Sequence, residues 1–146
     1  MRRSLMCCCD QHGPELLIGS YGEAYAIDTL QSLALSLNTD FAPSGPQCEL
    51  FASLLVDGMR WMTAGSPARW DWSVKGRDMG TVARRLKLNA SLFGALDGCA
   101  RDDQQAQLTA FGRAIDGQGR GQEALRGHRA YWASVRGSRL AFFSCR

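Results

Sequence analysis

Lysine is almost missing from this chain: of its 17 basic side chains, all but Lys75 and Lys87 are arginine. Histidine occurs only twice and proline only four times. No apolar run approaches the ~18 residues that a membrane span needs, and no hydrophobic core region follows Met1-Arg2-Arg3, so neither a span nor a secretory leader is expected here. Scarce proline and the lack of any internal repeat exclude collagen-like and proline-rich architectures. What remains is ordinary for a globular domain: 146 residues, 45% hydrophobic and 21% charged. That composition excludes a disordered tail or a bare coiled coil. One domain of this length buries roughly 68–70% of the surface of its unfolded chain, enough for a core without metal or disulfide.

Charge is uneven along the chain. Residues 1–116 carry eleven bases and thirteen acids, whereas residues 117–146 carry six arginines against Glu123 alone. Arginine forks onto carboxylate, sulfate or phosphate, so an anionic ligand is one reading of this tail and a solvated basic face is the other. The six cysteines do not form a framework pattern: Cys7, Cys8 and Cys9 are adjacent, and Cys48, Cys99 and Cys145 are scattered. Cys48 and Cys99 lie in apolar stretches and are expected to be small buried hydrophobes rather than disulfide partners.

Helical spacing dominates the first four-fifths of the chain. Ala26, Ile27, Leu30, Leu33, Ala34 and Leu37 predict a helix over 23–37 that breaks at the prolines and glycine of 38–46. Leu50, Phe51, Leu54, Leu55, Met59 and Met62 predict a second, from about Pro46 to Thr63, stopped by Gly65-Ser66-Pro67 and followed by a loop holding Trp70, Asp71 and Trp72. Asp78 is the candidate N-cap of a third, with Val82, Leu86 and, after Asn89, Leu92, Phe93 and Leu96. A fourth is predicted over 102–115, burying Ala106, Leu108, Phe111 and Ile115. After the glycine-rich joint 117–121, residues 129–135 and 140–145 are aromatic and β-rich around Arg136-Gly137-Ser138, as in a hairpin, although 129–135 also fits a helix.

The order Gln11-His12-Gly13, Gly19-Ser20-Tyr21-Gly22, a helix pair, and then Trp70-Asp71-Trp72-Ser73-Val74-Lys75-Gly76-Arg77 resembles polysaccharide lyase family 8, the chondroitin, hyaluronate and xanthan lyases. The His12 to Tyr21 spacing of nine matches that family, as does the Val-x-Gly-Arg stretch, and 127–146 is similar to the first strands after the family's helical domain. Met6-Cys7-Cys8-Cys9-Asp10 stands where the family has Asp-Gly-Ser-aromatic, Thr81 where it has a second Arg, and its catalytic Asn has no counterpart. The resemblance therefore implies a piece of a lyase. Its fold would be mostly α, part of an α/α toroid followed by the first strands of an antiparallel β-sandwich. Residues 1–9 would be an irregular arm, 10–116 the toroid segment, 117–126 a linker and 127–146 the start of the sandwich.

Such lyases cut beside a uronic acid by β-elimination, which needs a base for the C5 proton and donors to neutralise the adjacent carboxylate. By resemblance, Tyr21 is that base and then the acid that protonates the leaving oxygen. His12 helps to neutralise the carboxylate or shares the base role, and Arg77 is the cation that makes a tyrosine usable as a base. Read without a family, His12 is an arm residue and Tyr21 a packing residue. Trp61, Trp70 and Trp72 either stack on sugar rings or fill the core, with Trp70 and Trp72 the candidate substrate contacts.

Other constellations are weaker. Cys7, Cys8, Cys9 and His12 could ligate zinc, but adjacent cysteines suit a tetrahedron poorly and no metal is expected. Residues 81–98 loosely resemble a helix-turn-helix that offers only Asn89 for base reading in its second half. The glycines of 117–121 lack the strand and Lys-Ser/Thr of a phosphate loop. No paired carboxylates suit a two-carboxylate hydrolase. The resemblance thus implies a polysaccharide lyase with no cofactor and an acidic polysaccharide as its partner, acting outside the cell or in the periplasm. The alternatives are an inactive fragment that binds polyanionic glycan and, behind it, a nucleic-acid-binding regulator.

Overall fold

In the computed structural model, residues 17–71, 74–75 and 85–118 are described. The predicted arm, the linker from residue 119 on and the predicted strands of 127–146 lie outside them, as do the three consecutive cysteines. Within them the chain is mostly helical, with one small antiparallel hairpin.

The chain enters through a π turn, Ile18–Gly22, which runs without a break into α1, Glu23–Ser36. Ala26 and Leu30 face the core, with Ile27, Leu33 and Leu37 half-buried, whereas Ala34, expected on the same face, is exposed. Leu37 turns extended, and Asn38 takes a positive φ of 62°, a conformation that Asn tolerates better than most residues. Ser44 then caps α2, Gly45–Ser53: Gln47 Oε1 accepts the Ser44 N–H at 2.9 Å, closing one arm of a capping box, and Pro46 occupies the first turn, where its missing N–H costs nothing.

From α2 the helical path continues through a π turn, Leu54–Gly58, and a 3-10 helix, Met59–Met62. Leu55, Val56, Met59 and Met62 are all fully buried. The second predicted helix is therefore present over nearly its whole length, though Leu50, expected inside, points outward. Its end differs from expectation. Instead of a plain loop, β1 (Thr63–Ala64) pairs antiparallel with β2 (Arg69–Trp70), with Thr63 opposite Trp70. Strands were expected only after residue 121; two-residue strands leave no alternation to read, and Gly65-Ser66-Pro67 reads as a helix stop alone. Gly65 sits at φ 87°, where a side chain would be strained.

The third predicted helix is corrected over its second half. Arg85 bridges to Arg69, and Leu86 and Leu88 are buried while Arg85, Lys87 and Asn89 are exposed. That period of two belongs to extended chain, so Leu86 was misassigned to a helical face. Among the described residues of this span, helix begins at Ala90, as a 3-10 segment, Ala90–Leu96, whose N-cap Asn89 accepts the Ser91 N–H at 3.0 Å; Asp78 and Val82 lie outside the described residues. The helix-turn-helix reading of 81–98 loses its first requirement with it, since 86–89 is not helical.

The last helix, α3 (Asp102–Ile115), has the predicted bounds. Leu108 and Phe111 are buried, Ile115 is half-buried, and Ala106 faces solvent rather than the core. Phe111 stacks on Phe93 with ring centroids 5.6 Å apart. Buried Gln104 donates from Nε2 to Glu49 O (3.0 Å) and Ser53 Oγ (2.9 Å), fastening α3 to α2. Cys48 and Cys99 are joined in a disulfide, which corrects their reading as separate hydrophobes; their Cα atoms stand 5.7 Å apart, inside the bridging range. Fifty-one residues separate them, so no local spacing announces the pair. The Ala68 N–H donates to Ala114 O at 2.8 Å, fixing the hairpin to the end of α3.

Candidate functional site

Tyr21 lies in the π turn ahead of α1 and is 40% exposed. Single π turns within helices recur at functional sites, because the widened turn re-aims a side chain that a regular helix would place elsewhere. The turn beneath Tyr21 is pressed tightly against the chain near residue 75. A Cβ on Gly19 would sit 2.9 Å from both Lys75 Cδ and Val74 O, and 3.2 Å from Trp70 Cδ2. Only glycine allows that approach. Lys75 is itself 4% exposed, and its Nζ donates to Gly19 O at 2.7 Å. A buried ammonium is costly unless hydrogen-bonded, and the Gly19 carbonyl supplies such a bond.

The other flank of the turn is tied as well. Glu23 opens α1, is 2% exposed, and its Oε1 accepts the backbone N–H groups of Lys87 and of Leu88, the latter at 3.1 Å. Gly19 and Glu23 stand two residues before and two after Tyr21. Their partners Lys75 and Leu88 stand on either side of the stretch 76–84, which contains Arg77 in the sequence. His12, Arg77 and Trp72 lie outside the described residues. Of the predicted site, the structure describes Tyr21 and Trp70.

Trp70 is fully buried under Gly19. Stacking on a sugar requires an open ring face, so the core-filling role describes Trp70 and the substrate-contact role does not. Trp61 is half-buried, and the Arg60 guanidinium lies over its ring at 4.6 Å from the centroid. Burial lowers the Arg60 pKa, opposed by the charge of Asp57, and the cation is in any case too strong a base to titrate.

A separate open groove of about 410 Å³ runs between the 3-10 segment and α3, lined by residues that include Asn89, Phe93, Asp97, Gln105, Arg113 and Asp116. Its mixed charges define no chemistry. Among the described residues no group of three or more His, Cys, Asp or Glu side chains could hold a metal ion, and no helix is long and apolar enough to cross a membrane. Sequence reading missed Glu23 and Lys75. In the sequence Glu23 is one more acidic residue at a helix start, and Lys75 is the variable position of Val-x-Gly-Arg.

No protein-family model matches the chain, and neither does any curated protein or solved structure.

Proposed function

We propose that the chain is part of a lyase that cleaves uronate-containing polysaccharide by β-elimination, with its helices belonging to an α/α toroid and residues 127–146 beginning a β-sandwich. Tyr21 removes the C5 proton. The electron pair of that C–H bond becomes the C4–C5 double bond, the C4–O4 bond breaks, and the departing glycosidic oxygen takes a proton from Tyr21. His12 helps to neutralise the uronate carboxylate, which otherwise repels the charge that develops at C5, and Arg77 is the cation that makes Tyr21 usable as a base.

One observation carries this reading. The turn that holds Tyr21 is packed on Val74-Lys75, with Lys75 Nζ on Gly19 O at 2.7 Å across 56 residues of sequence. Two motifs quoted for the resemblance, far apart in sequence, thus meet at Gly19 and Lys75. The exposure of Tyr21 fits a residue that meets a polymer from solvent.

Ultraviolet absorbance of the unsaturated uronide provides the test. The chain is offered chondroitin, hyaluronan, xanthan and heparin, and growth of the absorbance with one of them is the expected outcome. Tyr21→Phe keeps the ring and removes only the hydroxyl, so it abolishes that growth while glycan binding persists. Turnover that survives Tyr21→Phe rejects Tyr21 as the proton-transfer residue.

A further inference from the structure

We infer that Arg69 and Arg85 form a binding site for one sulfate group of an acidic polysaccharide, a site that takes its glycan from the lyase reading above. The two residues are antiparallel partners: β2 meets the extended chain at 85, with Arg69 directly opposite Arg85. Residues opposed in this way share one face of the sheet, with Cβ atoms roughly 4.5–5.5 Å apart. That face is the outer one. Trp70 and Leu86, their neighbours in the chain, are buried on the other side, while both arginines are exposed. Lys87, also exposed, stands two residues past Arg85, hence on the same face and about 7 Å along the strand. Among the described residues, none makes an ion pair with any of these three cations.

Like charges set directly opposite each other destabilise a strand pair, and one charge is enough to guard a sheet edge, so neither folding nor edge protection calls for both arginines. An anion between them does. Each guanidinium presents a rigid fork of donors, and one fork occupies both oxygens of a carboxylate. A sulfate ester keeps three terminal oxygens and can accept from two forks at once, whereas a phosphodiester leaves two. Three cations are also few for nucleic acid, whose backbone is gripped through about 6–10 phosphate contacts. The row lies on the flank of the turn that carries Tyr21: the Lys87 N–H donates to Glu23, two residues after Tyr21. A glycan seated at Tyr21 thus has a second foothold beside it.

Calorimetric titration of the full chain at physiological ionic strength tests the site. The probes are chondroitin sulfate and heparin, each beside its chemically desulfated form, and a DNA duplex. The variants are Arg69→Gln, Arg85→Gln, the two together, and Arg113→Gln, which removes the same charge from exposed α3. One of the sulfated glycans binds at least about tenfold more tightly than its desulfated form. Arg69→Gln or Arg85→Gln alone removes most of that preference, and the double variant loses little more than either, because both forks hold one group. Arg113→Gln stays within about twofold of wild type, and the Arg69 and Arg85 variants melt at or above the wild-type temperature, since an opposed pair of like charges is relieved. Binding indifferent to desulfation overturns the site, as do equal losses in Arg113→Gln or tighter binding of the duplex through the same arginines. Turnover is read separately. A chain that holds sulfated glycan through both arginines but forms no unsaturated uronide overturns the lyase reading and keeps this site, whereas turnover with glycan binding indifferent to both arginines overturns this site alone.

Discussion

Lys75 and Gly19 are in contact twice over: the ammonium donates to the Gly19 carbonyl at 2.7 Å, and the lysine stem occupies the place where a Gly19 side chain would be. The two contacts depend on each other. The stem can reach across Gly19 only because no Cβ is there, and the carbonyl is what makes a buried ammonium tolerable.

Gly19→Ala tests the first contact. The added methyl would stand 2.9 Å from Val74 O, a backbone atom that cannot rotate away, so either the π turn or the 74–75 segment must shift. Overpacking of this kind costs about 1–3 kcal/mol. Chemical denaturation should show a lower midpoint with an unchanged slope, and a midpoint equal to wild type would mean that the close approach is relieved at no cost.

Lys75→Met tests the second. The apolar stem is retained and the ammonium is lost, which leaves the Gly19 carbonyl without this donor. Removing a charged hydrogen bond of this type costs about 1.5–3 kcal/mol, less whatever is recovered by no longer desolvating the charge. The expected result is a net loss of stability by thermal unfolding together with faster amide exchange in residues 18–22. A more stable variant with unchanged exchange would show that the lysine is a liability rather than a tie.

The disulfide joins α2 to the turn ahead of α3 and closes a loop of about fifty residues, for which chain entropy alone gives on the order of 4 kcal/mol of stabilisation. Cys48→Ala with Cys99→Ala should therefore lower the unfolding free energy by about 2–4 kcal/mol. Mass spectrometry after thiol alkylation checks the bond directly: in the native chain, Cys48 and Cys99 stay unlabelled until a reductant is added. Labelling of both without reductant would remove the bond from the account.

The helical half of this fold was readable because its signals are local. The bounds of α3 follow from residues within a single helix, and the second helix follows from Leu54, Leu55, Met59 and Met62 at regular spacing. What escaped reading depends on distant partners. Leu86 and Leu88 alternate over too few residues to outweigh the helical spacing of Val82 and Leu86, and β1 and β2 exist only as each other's partner. Cys48 and Cys99 meet across 51 residues. The site divides in the same way. Tyr21 was marked by a motif, whereas Glu23 and Lys75 show their roles only through backbone groups 64 and 56 residues away, and a backbone donor or acceptor has no sequence signature.

Arg101 illustrates an interaction that should matter little. It lies 3.5 Å from Glu49 and forks onto Asp103 at 3.0 and 3.3 Å, and the hydrogen bonds from Arg101 hold the Asp103 carboxyl below the usual carboxylate range. A depressed folded-state pKa contributes stability above the ordinary Asp range and loses it as pH falls through the depressed value. All three side chains are well exposed, and water and salt screen the gain. Arg101→Ala should leave the melting temperature near neutral pH within about 1–2 °C in physiological salt, a small change for a domain of this size. A large loss there would indicate that Arg101 guards the neighbouring disulfide instead.

Leu35 at the end of α1 is 83% exposed, Phe41 in the connection to α2 is 88% exposed, and Leu50 on α2 is 55% exposed. Isolated apolar side chains on a surface are ordinary. Three large ones on two successive helices and their short connection are what a toroid segment would present to a neighbouring helix pair, because each pair in such a ring buries its flanks against the next. A dye that fluoresces in apolar surroundings should therefore bind the folded chain. Leu35→Lys with Phe41→Ser should remove most of the signal while the melting temperature changes little, since substitutions at such exposed positions usually stay within about 0.5 kcal/mol each. Dye binding unchanged by the double substitution would place the apolar surface elsewhere, and a folded wild-type chain that binds no dye would count against the toroid segment itself.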